Sequence, residues 1–290
     1  MDTMENTSSP LVLPRGTERI DPAQGSIFFI GTATVILRYA GFTILTDPNF
    51  LHQGDHVHLG YGLTSARVTN PAIDMEQLPP FDFVLLSHLH EDHFDRLVEK
   101  QLDKGTTIVT TPEAATALRH KCFTALEPLH TWETLTMTKG DYVLRITAMP
   151  GKHGPGFVDA ALPDVMGSML EFQNRTGKTL LRLCITGDTL LHEHLREIPQ
   201  RYPDIDLALL HLGGTRIFGV LLTMDAMQGI EVVKLINARK NIPIHYNDYT
   251  VMKSPLDDFK ELVAMSDLED RVHYMEHGDT YTFEIPESRR

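Results

Sequence analysis

Short runs of β-branched and aromatic residues, each closed by glycine or a turn, dominate the chain once a proline-containing leader is passed. Ser26–Ile30, Thr34–Tyr39 and Thr43–Thr46 read as consecutive strands separated by Gly31 and the Ala40-Gly41 turn. The third delivers Asp47-Pro48 at its carboxyl end. Positions 49–80 then lose all periodicity, and a loop this long inside a compact domain is usually functional or flexible. Phe81–Ser87 is a short, mostly apolar run that reads as a buried strand. Beyond it the spacing changes: Phe94, Leu97, Val98 and Leu102 recur at helical intervals, with Gly105 as a stop. Thr106–Thr110 is a further strand, and Pro112–His120 a helix with Thr111 as its N-cap.

The rhythm then starts again. Glu133–Met149 reads as a hairpin turning at Lys139-Gly140, whose second strand runs into the Gly-rich turn 150–156. Gly167–Gln173 and Thr179–Thr186 flank a turn at Asn174–Lys178, and the later strand hands off Gly187-Asp188 much as the earlier one handed off Asp47. A helix (Glu193–Ile198), a strand (Asp206–Leu210), a long helix (Met224–Arg239), the strand Ile242–Ile244 and a helix (Leu256–Met265) follow. Strands at Arg271–Met275 and Tyr281–Ile285 close the chain. Strand groups interrupted by helices, twice over, predict two sheets packed face to face with helices outside. No Pro/Gly/Ser linker interrupts residues 25–290, which read as one domain behind an irregular leader, 1–24.

Composition narrows the partners. With 42% hydrophobic and 22% charged residues, the chain is globular, not disordered. Its 26 basic and 39 acidic residues give a net charge of −13, and no Lys/Arg run occurs, so neither nucleic acid nor an anionic membrane is expected as a partner. The N-terminus has no basic segment before an apolar core, and no apolar stretch is long enough to span a bilayer. Two cysteines build no disulfide framework, and Cys184 lies in the apolar run Leu180–Ile185. A cytoplasmic setting is the expectation.

The 15 histidines change the picture. Directly after the buried strand stands His88-x-His90-x-Asp92-His93. Neutral imidazole and carboxylate are what borderline divalent metals select. Residues i and i+2 of an extended stretch share a face, so His88 and His90 suit one ion, while the turn into the helix swings Asp92 and His93 toward another. Further ligands are expected at other strand ends, where His153, Asp188 and His245 stand. A carboxylate is able to bridge two ions, which suits Asp188. His211 and Tyr246 are candidate substrate contacts at the same edge. His56 and His58, in the aperiodic loop, and His192 and His194, opening a helix, are weaker candidates. The segment His277–Thr280 reads as a turn.

In this order, Asp47, His88/His90/Asp92/His93, His153, Asp188 and His245 resemble the metallo-β-lactamase superfamily of αββα hydrolases. Gly31-x-Ala33-Thr34-Val35, Thr46-Asp47-Pro48, Leu86-Ser87-His88 and Ile242–Tyr246 are similar to the branch holding ascorbate-phosphate lactonase-like and N-acylphosphatidylethanolamine phospholipase D-like proteins, with Thr32 where that branch commonly has histidine. The resemblance implies an α+β fold, a four-layer αββα sandwich. It implies two divalent ions, zinc first, with manganese or iron as alternatives. His88, His90 and His153 would hold one ion, and Asp92, His93 and His245 the other. Asp188 would lie between them, and Asp47 would orient a ligand imidazole. The expected activity is hydrolysis of a small ester, lactone or amide-type substrate by hydroxide generated at the metals, with Asp92, Asp188, His211 and Tyr246 as catalytic candidates. A phosphodiester or phospholipid-like substrate is the alternative within hydrolases, and an iron-dependent redox reaction lies outside them. The expected partner is a small molecule, with a homo-oligomer left open.

Overall fold

The computed structural model describes residues 10–15, 20–59 and 62–289. Two seven-stranded sheets form its body. In the first, Gln24–Gly31, Thr34–Tyr39 and Phe42–Thr46 make an antiparallel meander, joined in parallel by Phe83–Leu85, Ile108–Thr110 and Leu126–Pro128. Thr280–Glu284 returns to pair with Gln24–Gly31. In the second, Tyr142–Pro150, Met166–Asn174 and Thr179–Ile185 repeat the meander, and Leu207–His211 and Lys240–Ile244 continue it in parallel. The doubled rhythm of the sequence is therefore a doubled topology.

Side-chain alternation divides the core. Along the first sheet Val35, Leu37, Ile44, Phe83, Leu85 and Val109 join a cluster with Leu144, Ile146, Leu170, Phe172 and Leu183 of the second sheet. Their chain neighbours Ile36, Leu45, Val84 and Ile108 face the other way, onto Val98 and Leu118 of the helices Arg96–Gln101 and Pro112–His120. Both helices are capped as their sequences require: Asp95 accepts from the Leu97 and Val98 amides, and Thr111 from Ala114. On the second sheet the connection between the parallel strands Leu207–His211 and Lys240–Ile244 carries the helix Ala226–Ile236, which packs with Leu256–Met265. The sandwich is αββα.

Three expectations change. Leu11–Val12, within the leader, pairs in parallel with Thr134–Lys139 as an edge strand. The aperiodic loop holds a hairpin, His56–His58 with Thr64–Ala66, that turns Val57 inward and both histidines to solvent. Arg271–Met275 is not a strand: it makes a single bridge, Asn241 to Val272, and the Asn241 side chain donates to the Arg271 carbonyl instead. Among the described residues no helix is long and apolar enough to cross a membrane.

The parallel strands of both sheets end at one edge. Thr46, Leu85, Pro150, Ile185, His211 and Ile244 are their last residues, and the chain turns sharply just beyond several of them. Asp47 and His245 have φ of 36° and 60°, and Gly187 of 64°. A Cβ on Gly187 would lie 2.6 Å from the Met166 carbonyl oxygen. Gly187→Ala is therefore expected to cost roughly 2 kcal/mol or more, since the left-handed conformation and the clash add. Chemical denaturation checks the stability, and metal titration of the same variant should show the loss at Asp188.

Candidate metal centre

Ligand-type side chains from six strand ends meet at this edge in three overlapping groups: His88 with His90 and His153; Asp92 with His93, Asp188 and His245; and Asp47 with His93 and His211. Within each, the candidate ligand atoms lie within 4.8 Å of one another. In the first, His88 Nε2 and His153 Nε2 stand 2.9 and 3.2 Å from His90 Nδ1. In the second, His93 Nε2 is 3.3 Å from Asp188 Oδ2, and His245 Nε2 is 3.5 Å from Asp92 Oδ2.

Backbone carbonyls set the tautomers. Leu222 O accepts from His153 Nδ1 at 3.1 Å and Leu212 O from His245 Nδ1 at 3.2 Å. A carbonyl only accepts, so each neutral ring turns its Nε2 lone pair into the site. Ser87 Oγ stands 3.0 Å from His88 Nδ1 and 3.3 Å from His93 Nδ1. Asp47 ties these pieces together: Oδ1 accepts from the Ser87 amide at 2.7 Å, and Oδ2 lies 3.5 Å from both His93 Nδ1 and His211 Nε2.

The electrostatics sort the groups. Burial, with the charges of the neighbouring imidazoles, holds His88 well below the usual histidine range, and burial and His153 push His90 down to about 4. Both are neutral at pH 7, the state in which an imidazole is able to ligate a metal. Burial would lower His93 too, but Asp188, Asp92 and Asp47 outweigh it and hold its proton well above the ordinary value. Burial would raise the Asp188 carboxyl, but His245 and His93 hold it well below. Three buried carboxylates around one imidazole call for positive charge. The fit to a cation is direct: Asp92 Oδ1, His93 Nε2, Asp188 Oδ1 and His245 Nε2, one atom from each member of the second group, are buried without a hydrogen-bond partner.

A family profile described as Beta-lactamase superfamily domain matches residues 43–246, the span from the third strand to the last ligand. The chain belongs to the metallo-β-lactamase superfamily. Among relatives of this superfamily, a metal-dependent hydrolase of Staphylococcus haemolyticus is 25% identical over 260 residues, covering 88% of this chain and 98% of its own. The fold is shared with the isothiocyanate hydrolase from Delia radicum gut bacteria, at a TM-score of 0.75 and 20% identity over 89% of this chain and 99% of that one. A metallo hydrolase of the archaeon Ignicoccus hospitalis superposes with a TM-score of 0.66 and 23% identity, over 91% of this chain and all of that one (100%).

Within this superfamily frame, the structure brings His88, His90, Asp92, His93, His153, Asp188 and His245 together, with Asp47 behind His93. It does not bring Tyr246. The Tyr246 hydroxyl donates to the Met275 carbonyl at 2.6 Å, on the far side of the strand end from His245, so its expected role as a donor to substrate is corrected. His211 is at the right edge but faces inward. Its Nδ1 lies 3.4 Å from Thr186 Oγ1, its Nε2 lies 3.5 Å from Asp47 Oδ2 without a hydrogen bond, and its ring stacks 5.9 Å from that of His93, so it faces Asp47 and His93 from within the fold. His194 is exposed and pairs with Glu197, and His192 lies in none of the three groups.

A further layer escaped the sequence. The His277 of the late turn stands 3.2 Å from the buried Asp248, whose Oδ2 accepts from the Thr32 amide at 2.7 Å; the Thr32 carbonyl in turn accepts from the His245 amide at 2.6 Å. The spacing of 29 residues between the pair left no local signal. Arg67, also buried, donates to Asn49, which takes the Tyr249 hydroxyl at 2.9 Å.

Two predictions follow from these contacts. Asp47→Asn keeps an acceptor for the Ser87 amide but removes the charge behind His93, so metal affinity should fall roughly 10–100-fold with the fold intact, as read by metal titration. Burial acts to lower His277, yet the Asp248 carboxylate raises it above the ordinary value. A raised histidine contributes stability that is fully present below about pH 6.5 and is lost as pH climbs through the folded value. The Tm gap between the wild type and His277→Gln should be widest near about pH 6 and shrink toward about pH 9; a gap that widens on the alkaline side would contradict the pairing.

Proposed function

We propose that this protein is a metal-dependent hydrolase that cleaves a small ester, lactone or amide-type substrate at a pair of divalent ions, zinc first among them. The observation that carries the reading is the set of four buried, unpartnered ligand atoms on Asp92, His93, Asp188 and His245, next to three convergent imidazole nitrogens. His88 Nε2, His90 Nδ1 and His153 Nε2 would hold one ion. Asp92, His93 Nε2 and His245 Nε2 would hold the other, with Asp188 shared. When bound, such ions supply Lewis acidity, which lets water ionise near neutrality and polarises a carbonyl.

The remaining work falls to the protein. Leu222 and Leu212 hold the rings of His153 and His245 in the ligating tautomer. Ser87 and Asp47 fix His88 and His93 from behind, so little reorganisation is left for the reaction. Asp188, with Oδ1 unpartnered and its carboxyl held ionised, is placed to orient attacking water and to balance two cations.

Zinc-loaded protein should hydrolyse members of a panel of lactones, esters, β-lactams, thioesters and phosphodiesters. Activity should vanish with a chelator and return with metal. Turnover confined to phosphodiesters would overturn the substrate class, and metal-independent turnover the whole reading. Asp188→Ala leaves three protein ligands for each ion; Asp188→Asn leaves only a neutral amide between them. Both should lose at least one ion and roughly a thousandfold in rate while circular dichroism stays native. A variant that retains two ions and near-normal turnover would show that Asp188 does not join them.

A further inference from the structure

After His211 and before the helix Ala226–Ile236 the chain leaves the sandwich as a hairpin, with Arg216–Ile217 paired to Val220–Leu221. Its turn residues, Phe218 and Gly219, have φ of 49° and 82°. A two-residue turn with both φ positive suits the twist of the strands, and its first position favours Asn, Asp or Gly. Phenylalanine there is strained. This one is also 90% exposed. The fold gains nothing from either property.

Both ends of the excursion are tied to the metal centre. It begins at Leu212, whose carbonyl holds His245, and ends at Leu222, whose carbonyl holds His153. The hairpin is braced between. Ile217 packs on the cluster of Leu51, Val57 and Leu59. Arg216 donates to the Gly219 carbonyl at 3.3 Å and pairs at 3.2 Å with Asp225, the cap of the following helix. Two more exposed apolar side chains stand on the elements joined here: Met227 in the first turn of that helix, and Leu191, three residues beyond Asp188, whose amide donates to Gln228. Three exposed apolar side chains, Phe218, Met227 and Leu191, thus stand on the elements tied to His153 and Asp188.

We propose that Phe218 is a specificity-determining residue, packing against an apolar substituent of the substrate while the reacting bond sits at the metal centre. Two strand residues and the turn put the tip at most about 13 Å from Leu222. The substituent is therefore a medium-length alkyl or arylalkyl group, not a methyl.

The proposal rests on the metal-dependent reading above, and alkyl hydroxamates separate the two because they chelate metal without needing to be hydrolysed. Zinc-loaded wild type and Phe218→Asn, a residue that suits the turn, are titrated calorimetrically with acetohydroxamate and with its hexanoyl and octanoyl homologues. Wild-type affinity should rise about tenfold along the series, as expected for one good aromatic contact. The variant should bind acetohydroxamate like wild type, lose the gain with length and melt no lower. A length dependence that survives in Phe218→Asn overturns the proposal, as does loss of acetohydroxamate binding in the variant, which would place Phe218 in the metal centre itself. A variant changed only in self-association or in binding to lipid vesicles would show that these apolar side chains serve a macromolecule. Failure of wild type to bind acetohydroxamate overturns the metal reading, and this inference with it.

Discussion

Three carboxylates, Asp47, Asp92 and Asp188, are buried around His93 at one end of a protein sandwich, and much of the architecture follows from keeping them ionised there. An isolated buried carboxylate would take up a proton and become neutral. These do not, because each has a donor or a cation beside it: the Ser87 amide for Asp47, the His245 ring for Asp92, and His93 for all three. Without metal, the proton that the three carboxylates hold on His93 stands in for positive charge, so loading should release it. The Asp47 and His245 backbones are held left-handed, and the Gly187 turn leaves no room for a side chain. Strain of this kind persists where the surrounding structure fixes it, here two sheets whose parallel strands end together.

The sheets and the cluster of histidines and aspartates were legible in the sequence for one reason: both are local. Apolar runs mark the strands, and the six-residue stretch His88–His93 carries four of the clustered residues, three histidines and an aspartate, by itself. His153, Asp188 and His245 could be found because each stands within three residues of the end of an apolar strand. Tyr246 misled for an equally simple reason. The chain turns at His245, whose φ is 60°, and that turn sends the next side chain to the Met275 carbonyl. His211 was placed on the correct edge, but nothing in a linear pattern says that its ring is enclosed between Thr186, Asp47 and His93.

What stayed hidden is the layer behind the ligands. Asp248 with His277, and Arg67 with Asn49, are pairs made by tertiary folding, and neither member stands in a recognisable motif. Strand Arg271–Met275 failed differently. Its residues have strand propensity, but the position lies beyond Lys240–Ile244 at the sheet's edge, where the Asn241 side chain takes the Arg271 carbonyl that a ladder would have used. Arg271 closes the short 3-10 turn Glu269–Arg271, and the segment that follows makes a ladder bond from the His273 amide to the Asn241 carbonyl without extending into a strand.

The distribution of the ligands between the two halves has a mechanical meaning. His88 and His90 come from the first sheet and His153 from the second; Asp92 and His93 come from the first, Asp188 and His245 from the second. Neither half contains a complete set for either cluster. Each ion would be a rivet through both layers, closing a loop of chain as a disulfide would but between sheets instead of cysteines. Such a rivet resists the parting of the layers and leaves the internal ladders of each untouched. The seam between the sheets is then the place where an unloaded molecule opens first, and the two halves are bound to stay together for as long as the site is filled.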